Sequence, residues 1–351
     1  MKMIKGTLLL VVLMGIVLPL SAQTRRQLVL YTWEEMFPAS VLNGFKADYK
    51  RKNNVDIDIV YKNFEMNEDM LAELERTKGS GYDLVIADDY ITEFVVQEGL
   101  AQRLNKTKLS NFRNINPFYQ HQYYDPNDDY TVPYGAGVQT IIYNPAKVRK
   151  NITGYSDLWS NDLRLSVGLV GNYRVVNGIA LKVLGKSYNT EVIADINAAG
   201  QRLLTLAPNI LLLDDFSLDQ ELLSGAISVA VTYTDQVFRA RQQNPNLKVV
   251  FPNEGIGFGI MAAFIPSRAA NSDAAHAFLN YLLDAKVGAQ CFEHLGYYCT
   301  FKASEAELNP RLKDLLILPN FNSFEMIENL TLEADDAHNQ IWVQFLASIG
   351  R

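Results

Sequence analysis

Apolar residues along this chain alternate between two spacings, the period of two that suits a strand and the period near 3.6 that suits a helix. Gln27–Tyr31 (QLVLY) reads as a strand, and Pro38 then opens a helix to about Tyr49, since proline suits a first helical turn. Asp56–Tyr61 (DIDIVY) alternates polar and apolar as a half-buried strand does, and Met66–Thr77 returns to helical spacing. Tyr82–Ala87 (YDLVIA) is a nearly continuous apolar strand, followed by a helix from Tyr90 to about Glu98. Strand–helix alternation of this kind predicts parallel βαβ units with helices covering the sheet.

Between Asn105 and Tyr130 the pattern lapses into Asn, Pro, Asp and Tyr. It resumes at Val132–Asn144 (VPYGAGVQTIIYN), a long strand punctuated by Gly135 and Gly137. A second αβ series follows, with strands near Leu165–Val170, Ile210–Leu213, Ile227–Tyr233 and Val249–Phe251. Gly255–Ile265 is another extended, glycine-punctuated run, and helical spacing dominates from Asp273 onward. Two αβ series joined by two long extended segments predict two lobes with the chain crossing between them more than once. The glycines suit hinges, because glycine absorbs large φ/ψ changes; bulges in one large sheet are the plainer alternative.

The 351 residues agree with two domains of roughly 100–200 residues each. A net charge of −7 is unlike that of a nucleic-acid binder, which presents a basic face. Met1–Ala22 has the parts of an export signal: Lys2 and Lys5, the apolar stretch Thr7–Leu20, and the small residues Ser21 and Ala22. The apolar stretch is shorter than the roughly 20 residues a spanning helix needs, so cleavage is expected, with an uncleaved membrane anchor as the alternative. Cleavage removes two lysines and takes the net charge from −7 to −9. Cys291 and Cys299 either pair in an oxidising compartment or stay free.

The four histidines are scattered without metal-ligand spacing, and HExxH, CxxC and GxSxG do not occur. Gly185-Lys186-Ser187 looks like the end of a phosphate loop, but Ala180 stands where that loop needs glycine. The triplet also ends a helical run (Ile179–Leu184), so it reads as a helix terminus. No cofactor, metal site or catalytic residue is expected.

What recurs is an aromatic residue beside carboxylates at the end of a strand. Trp33-Glu34-Glu35, Asp88-Asp89-Tyr90 and Tyr233-Thr234-Asp235 follow strands, and Tyr297-Tyr298 follows Gly296. Taken singly, an acid before a helix is a cap. In open α/β sheets, however, ligands bind beyond the carboxyl ends of strands, and the recurrence in both series points to a shared site. Ring faces and carboxylates together suit a slender organic cation, at about 0.5–2 kcal/mol per cation–π contact and about 1.5–3 kcal/mol per charge-assisted hydrogen bond.

Leu28–Phe45 (LVLYTWEEMFPASVLNGF), Ala72–Ile115 and Asp125–Gly137 (DPNDDYTVPYGAG) resemble the periplasmic spermidine/putrescine-binding proteins of polyamine ABC transporters, and the likeness extends over nearly the whole chain after the signal. The resemblance implies an α/β fold of the two-lobed, type II periplasmic binding protein class, each lobe a mostly parallel sheet flanked by helices. Residues 23–133 with 260–301 would form lobe 1, and 134–259 with 302–351 lobe 2. It further implies a monomer that carries a polyamine to a permease and its ATPase, without catalysis.

By the same resemblance Trp33, Tyr90, Tyr233 and Tyr297 match ligand-facing aromatic positions, and Glu35 matches an acid that accepts from an amine. Glu34, Asp88 and Asp235 are the candidates for a second amine. Asn172 stands in place of an aspartate, and Arg174 matches an arginine that orders neighbouring acids. Three positions depart from the pattern: Val175 where an acid follows the arginine, Gly259 in place of a tryptophan and Met261 in place of an aspartate. An amino-acid-like or anionic solute held through Arg174 is therefore the alternative ligand, and an exported enzyme on the same scaffold is the third reading.

Overall fold

In the computed structural model, which describes residues 26–313, 315–316 and 324–350, each predicted strand–helix alternation becomes a layer on a twisted sheet. The first series is β1 (Arg26–Thr32), α1 (Ala39–Asn53), β2 (Ile57–Asn63), α2 (Asn67–Thr77), β3 (Leu84–Asp88) and α3 (Asp89–Gln97). Pro38 stands just ahead of α1, and Asn54 ends that helix in a left-handed conformation (φ 54°). β3 begins two residues later than its apolar run, because the buried Asp83 carboxylate instead accepts from the backbone N–H groups of Val29 and Asn271.

The Asn/Pro/Asp-rich stretch after α3 forms short 3₁₀ turns, two of them started by the side chains of Asn105 and Asn116. Asp125 then accepts from Asp129, Tyr130 and Thr131 N–H at 2.8–2.9 Å and delivers the chain into β4 (Thr131–Tyr143). The second series is β5 (Val167–Leu169), α4 (Tyr173–Val183), α5 (Ile193–Leu204), β6 (Ile210–Leu213), α6 (Leu218–Ser224), β7 (Val229–Tyr233), α7 (Thr234–Gln243) and β8 (Lys248–Val250). Gly185, at φ +69°, lies just past the end of α4, so the lysine–serine pair after it belongs to a helix terminus.

β9 (Ile256–Phe264) returns the chain, followed by α8 (Ser272–Leu282), α9 (Ala285–Leu295), β10 (Tyr298–Cys299), α10 (Pro310–Lys313), β11 (Phe324–Met326) and α11 (Leu332–Ser348). Helical spacing had concealed β10 and β11. They are too short to show a period, and only their pairing with β4 and β9 defines them.

The strand order is β2-β1-β3-β9-β4-β7-β5-β6, parallel at both ends and antiparallel where β9 and β4 meet. β4 is shared: Thr131–Val138 pair with β9, and Gln139–Tyr143 pair with β7. Its two ends thus belong to two αβ halves. The first half buries Phe45, Phe278 and Phe292 on one face of the sheet and Met70, Leu74 and Val95 on the other. The second buries Ile179, Leu203 and Phe345 beneath α4, α5 and α11, with Leu218, Leu222 and Val237 opposite. Leu308 and Leu316 pack into the first core, whereas α11 closes the second.

The glycines of the two shared strands have no left-handed φ, apart from Gly255 before β9. Gly135 adjoins a register shift in β4, as the bulge alternative expects, and a Cβ there would lie 2.6 Å from Met261 Cε. Gly257 makes room in the same way, for the Tyr188 ring and Ile327.

Residues 1–22, the expected export signal, lie outside the described residues. Among the described residues no helix is long and apolar enough to cross a membrane. Cys291 and Cys299 are buried free thiols, and burial pushes Cys291 up to about 12.

Candidate functional site

The carboxyl ends of strands from both halves open onto one cleft of about 820 Å³. The first half contributes Glu65, Met66, Asn67 and Glu68 from the start of α2, together with Tyr90 from α3. The second contributes Gly171–Tyr173 at the start of α4, then Asp215, Phe216, Asp219 and Gln220 around the start of α6. Tyr233, Asp235 and Arg239 come from β7 and α7, and Tyr297 enters after α9. Among the described residues no histidine or cysteine lines the cleft, and no group of His, Cys, Asp and Glu side chains is arranged to hold a metal.

On the first side Asn67 organises the polar contacts. Its amide donates to Asp88 Oδ2 at 2.8 Å and to the Tyr90 hydroxyl at 3.2 Å, and that hydroxyl donates to Glu68 Oε1 at 3.0 Å. Burial pushes the Asp88 carboxyl up to about 6 against the opposing pull of Asn67. Asp89 is fully committed to the backbone, accepting from Tyr90 N at 2.7 Å and from Ile260 N at 2.6 Å. Burial and then the Asp88 charge hold it well above the usual carboxylate range.

On the second side Asp215 Oδ1 accepts from Gly171 N at 2.8 Å, and burial raises its carboxyl. Asp214 accepts from Phe216 N and Ser217 N in a tight turn, which leaves the Phe216 ring 86% exposed at the cleft. Arg239 donates to Asp235 Oδ2 at 2.8 Å and lies 3.2 Å from Asp219 Oδ2. Burial nevertheless raises Asp235, with Arg239 as the largest opposing influence. The Tyr233 and Tyr297 hydroxyls lie in the fields of Asp88 from one half and Asp235 from the other. Burial and these charges raise both, so they remain protonated donors.

Of the ten residues singled out in the sequence, Tyr90, Asn172, Tyr233, Asp235 and Tyr297 therefore meet in the cleft. Asp88 stands directly behind Asn67, bonded to it. Asn172 caps α4, accepting from Arg174 N and Val175 N at 3.0 and 3.1 Å. Trp33 is half-buried against Phe64, 5.0 Å between ring centroids, and is not among the lining residues. Glu34 and Glu35 are exposed in the turn after β1, where Glu35 has φ 56° and its carbonyl accepts from His294 Nε2 at 2.8 Å. Arg174 points away into the fold: its guanidinium donates to the carbonyls of Glu328 and Tyr188 at 3.0 and 3.1 Å.

Glu65, Glu68, Tyr173, Asp215, Phe216, Asp219 and Arg239 were not anticipated. A signal for some of them was present, since LLLDDFSLD (Leu211–Asp219) sets acids and a ring after a strand just as the recognised clusters do. The three departures are also accounted for locally. Val175 and Met261 are buried apolar side chains, and Gly259 leaves space beside the Asp89 carboxylate. Five carboxylates thus face one guanidinium among several rings, an arrangement able to desolvate and neutralise an organic cation.

The family profile described as bacterial extracellular solute-binding protein matches residues 45–318. The chain is 32% identical over 286 residues to the spermidine/putrescine-binding periplasmic protein of Salmonella typhimurium, covering 81% of this chain and 80% of that protein. It is likewise 32% identical over 292 residues to the Escherichia coli K12 protein of the same description, covering 83% and 82%. Among solved structures, the spermidine/putrescine ABC transporter substrate-binding protein of Streptococcus pneumoniae superposes with a TM-score of 0.82 over 92% of this chain and 99% of that one. At 24% identity this likeness concerns the fold.

Proposed function

The chain belongs to the bacterial extracellular solute-binding proteins, a family of binding proteins rather than enzymes, and from that premise we propose that its cleft captures a polyamine for import by an ABC transporter. The observation that carries this reading is the surplus of carboxylates over cations between the rings of the cleft. A ligand with two or more ammonium groups and an apolar spacer meets both needs: acids take the amines, and rings cover the methylenes. The proposed grip consists of Tyr90, Tyr233 and Tyr297 as stacking faces, with Glu68, Asp88 and Asp215 as acceptors, while Asp235 is held by Arg239. Trp33, Glu34 and Glu35 join from the turn after β1 when the lobes close.

The proposed lobes are residues 23–133 with 260–301 and 134–259 with 302–351, crossing along β4 and β9, although Leu308 and Leu316 of the last segment pack into the first core. Arg174, already engaged by two carbonyls, serves the fold in this reading. The protein works as a periplasmic monomer after removal of residues 1–22 and hands its ligand to a permease and its ATPase.

Isothermal titration of the purified protein with putrescine, spermidine and spermine, with glutamate as the anionic control, tests the reading. One polyamine site per chain, micromolar or tighter, with no glutamate binding is the expected result. Absence of heat with every polyamine, from folded protein freed of carried-over ligand, would overturn it. Within that assay Tyr233→Ala and Asp215→Ala are each expected to weaken binding at least about tenfold, the equivalent of one lost ring contact or charge-assisted bond.

A further inference from the structure

One residue of the cleft has a charge that a cation-binding site does not call for. Arg239 lies on α7 with its side chain 42% exposed, yet it reaches two carboxylates that are themselves nearly closed off, Asp219 at 2% and Asp235 at 15% exposure. Its Nη1 donates to Asp235 Oδ2 at 2.8 Å, its Nε to Asp219 Oδ2 at 3.2 Å and its Nη2 to the Phe216 carbonyl at 3.2 Å. A guanidinium held by two acids and a carbonyl occupies the position that a ligand ammonium would otherwise take. The acids that remain for a ligand lie in two groups. Asp215 is on the second half, and Glu65 and Glu68, with Asp88 behind, are on the first, where Glu34 and Glu35 join on closure; Asp215, Glu68 and Asp88 accept from Gly171 N, Tyr90 and Asn67, none of them a cation.

Resting on the polyamine reading above, we infer that Arg239 is a built-in counter-cation that fills the Asp219–Asp235 pair and makes the cleft select a diammonium ligand over a longer triammonium one. Two free acidic groups match two ammonium ends. A third ammonium finds its carboxylates already neutralised and is repelled by the guanidinium. Removing Arg239 releases two buried acids, whose desolvation is then relieved best by the ligand with the extra charge.

The test is titration of wild type and Arg239→Met with putrescine and with spermidine. Wild type is expected to bind putrescine at least as tightly as spermidine. In Arg239→Met the spermidine-to-putrescine affinity ratio is expected to rise at least about tenfold. If releasing both acids prevents folding, Arg239→Met combined with Asp219→Asn leaves only Asp235 unpaired and is expected to shift the ratio in the same direction. A folded variant with an unchanged ratio, or one that loses both ligands equally, would overturn the role of Arg239. Failure of wild type to bind either ligand would instead remove the polyamine reading on which that role rests, so the two failures are distinguishable.

Discussion

If the proposed polyamine site is right, Asp88 ties ligand capture to pH through a single side chain. Burial raises its carboxyl to about 6, whereas an unfolded chain titrates it near 3.9. A nearby ammonium favours the charged form, so cation binding is expected to strengthen as pH rises from 5 to 7 and to plateau above that. Titrations across this range check it, and in Asp88→Asn the rise should shrink while the plateau affinity falls. The folded apo protein holds this proton more tightly than the unfolded chain does. Asp88 therefore lowers stability progressively as pH climbs from about 4 through about 6. Asp88→Asn should accordingly be more stable than wild type at pH 7, on the order of 2 kcal/mol, with the gain vanishing towards pH 4 in denaturant titrations. Equal gains at pH 7 and pH 4 would contradict the burial argument.

The N-terminus of α4 makes the corresponding point for elements. Asn172 caps the helix while lining the cleft. Asn172→Ala should cost about 1 kcal/mol of stability. Asn172→Asp should keep the cap, suit the positive helix end and tighten cation binding by adding an acid to the cleft. Paired denaturation and binding measurements separate the two effects. Further along the same helix, a Cβ at Gly178 would lie 1.9 Å from Tyr188 Cε1. Alanine is normally the better helix former, yet Gly178→Ala should destabilise by about 1–3 kcal/mol, since the buried Tyr188 ring has to move. Tyr188 also presses on Gly257 of β9, so this ring packs a helix of the second half against a strand shared by both. The spacing of glycines in the sequence located the shared strands, but it did not reveal that Gly257 provides room rather than torsional freedom.

For the molecule as a whole, the cleft draws acids and rings from both halves, while β4 and β9 run continuously between them. A ligand that contacts both sides favours the closed arrangement by its differential affinity for that state. Small-angle scattering should show a smaller radius of gyration at saturating polyamine than without it. Tight binding with no change in radius would exclude closure. Much of the architecture was legible from pattern: the long strands of both series and the helices of the first lie within a few residues of their apolar runs, whereas the individual helices α5, α6 and α7 of the second were not delimited. Nor were the short β10 and β11, because two or three residues carry no period and are strands only through β4 and β9.

The sequence by itself determined that two αβ series alternate, that two long strands join them, and that rings and acids gather where strands end. Those properties are local, since periodicity and strand-end chemistry are carried by residues adjacent in the chain. Only the tertiary structure decided which side chain of each cluster faces the cleft. Tyr233 and Asp235 line it, whereas the acids after β1 lie exposed and Arg174 is turned onto carbonyls. It also brought Asp215, Asp219 and Arg239 together from separate elements. The reason is physical: an ion pair depends on distance and burial, and both are set by how successive helices such as α6 and α7 pack against each other and the sheet.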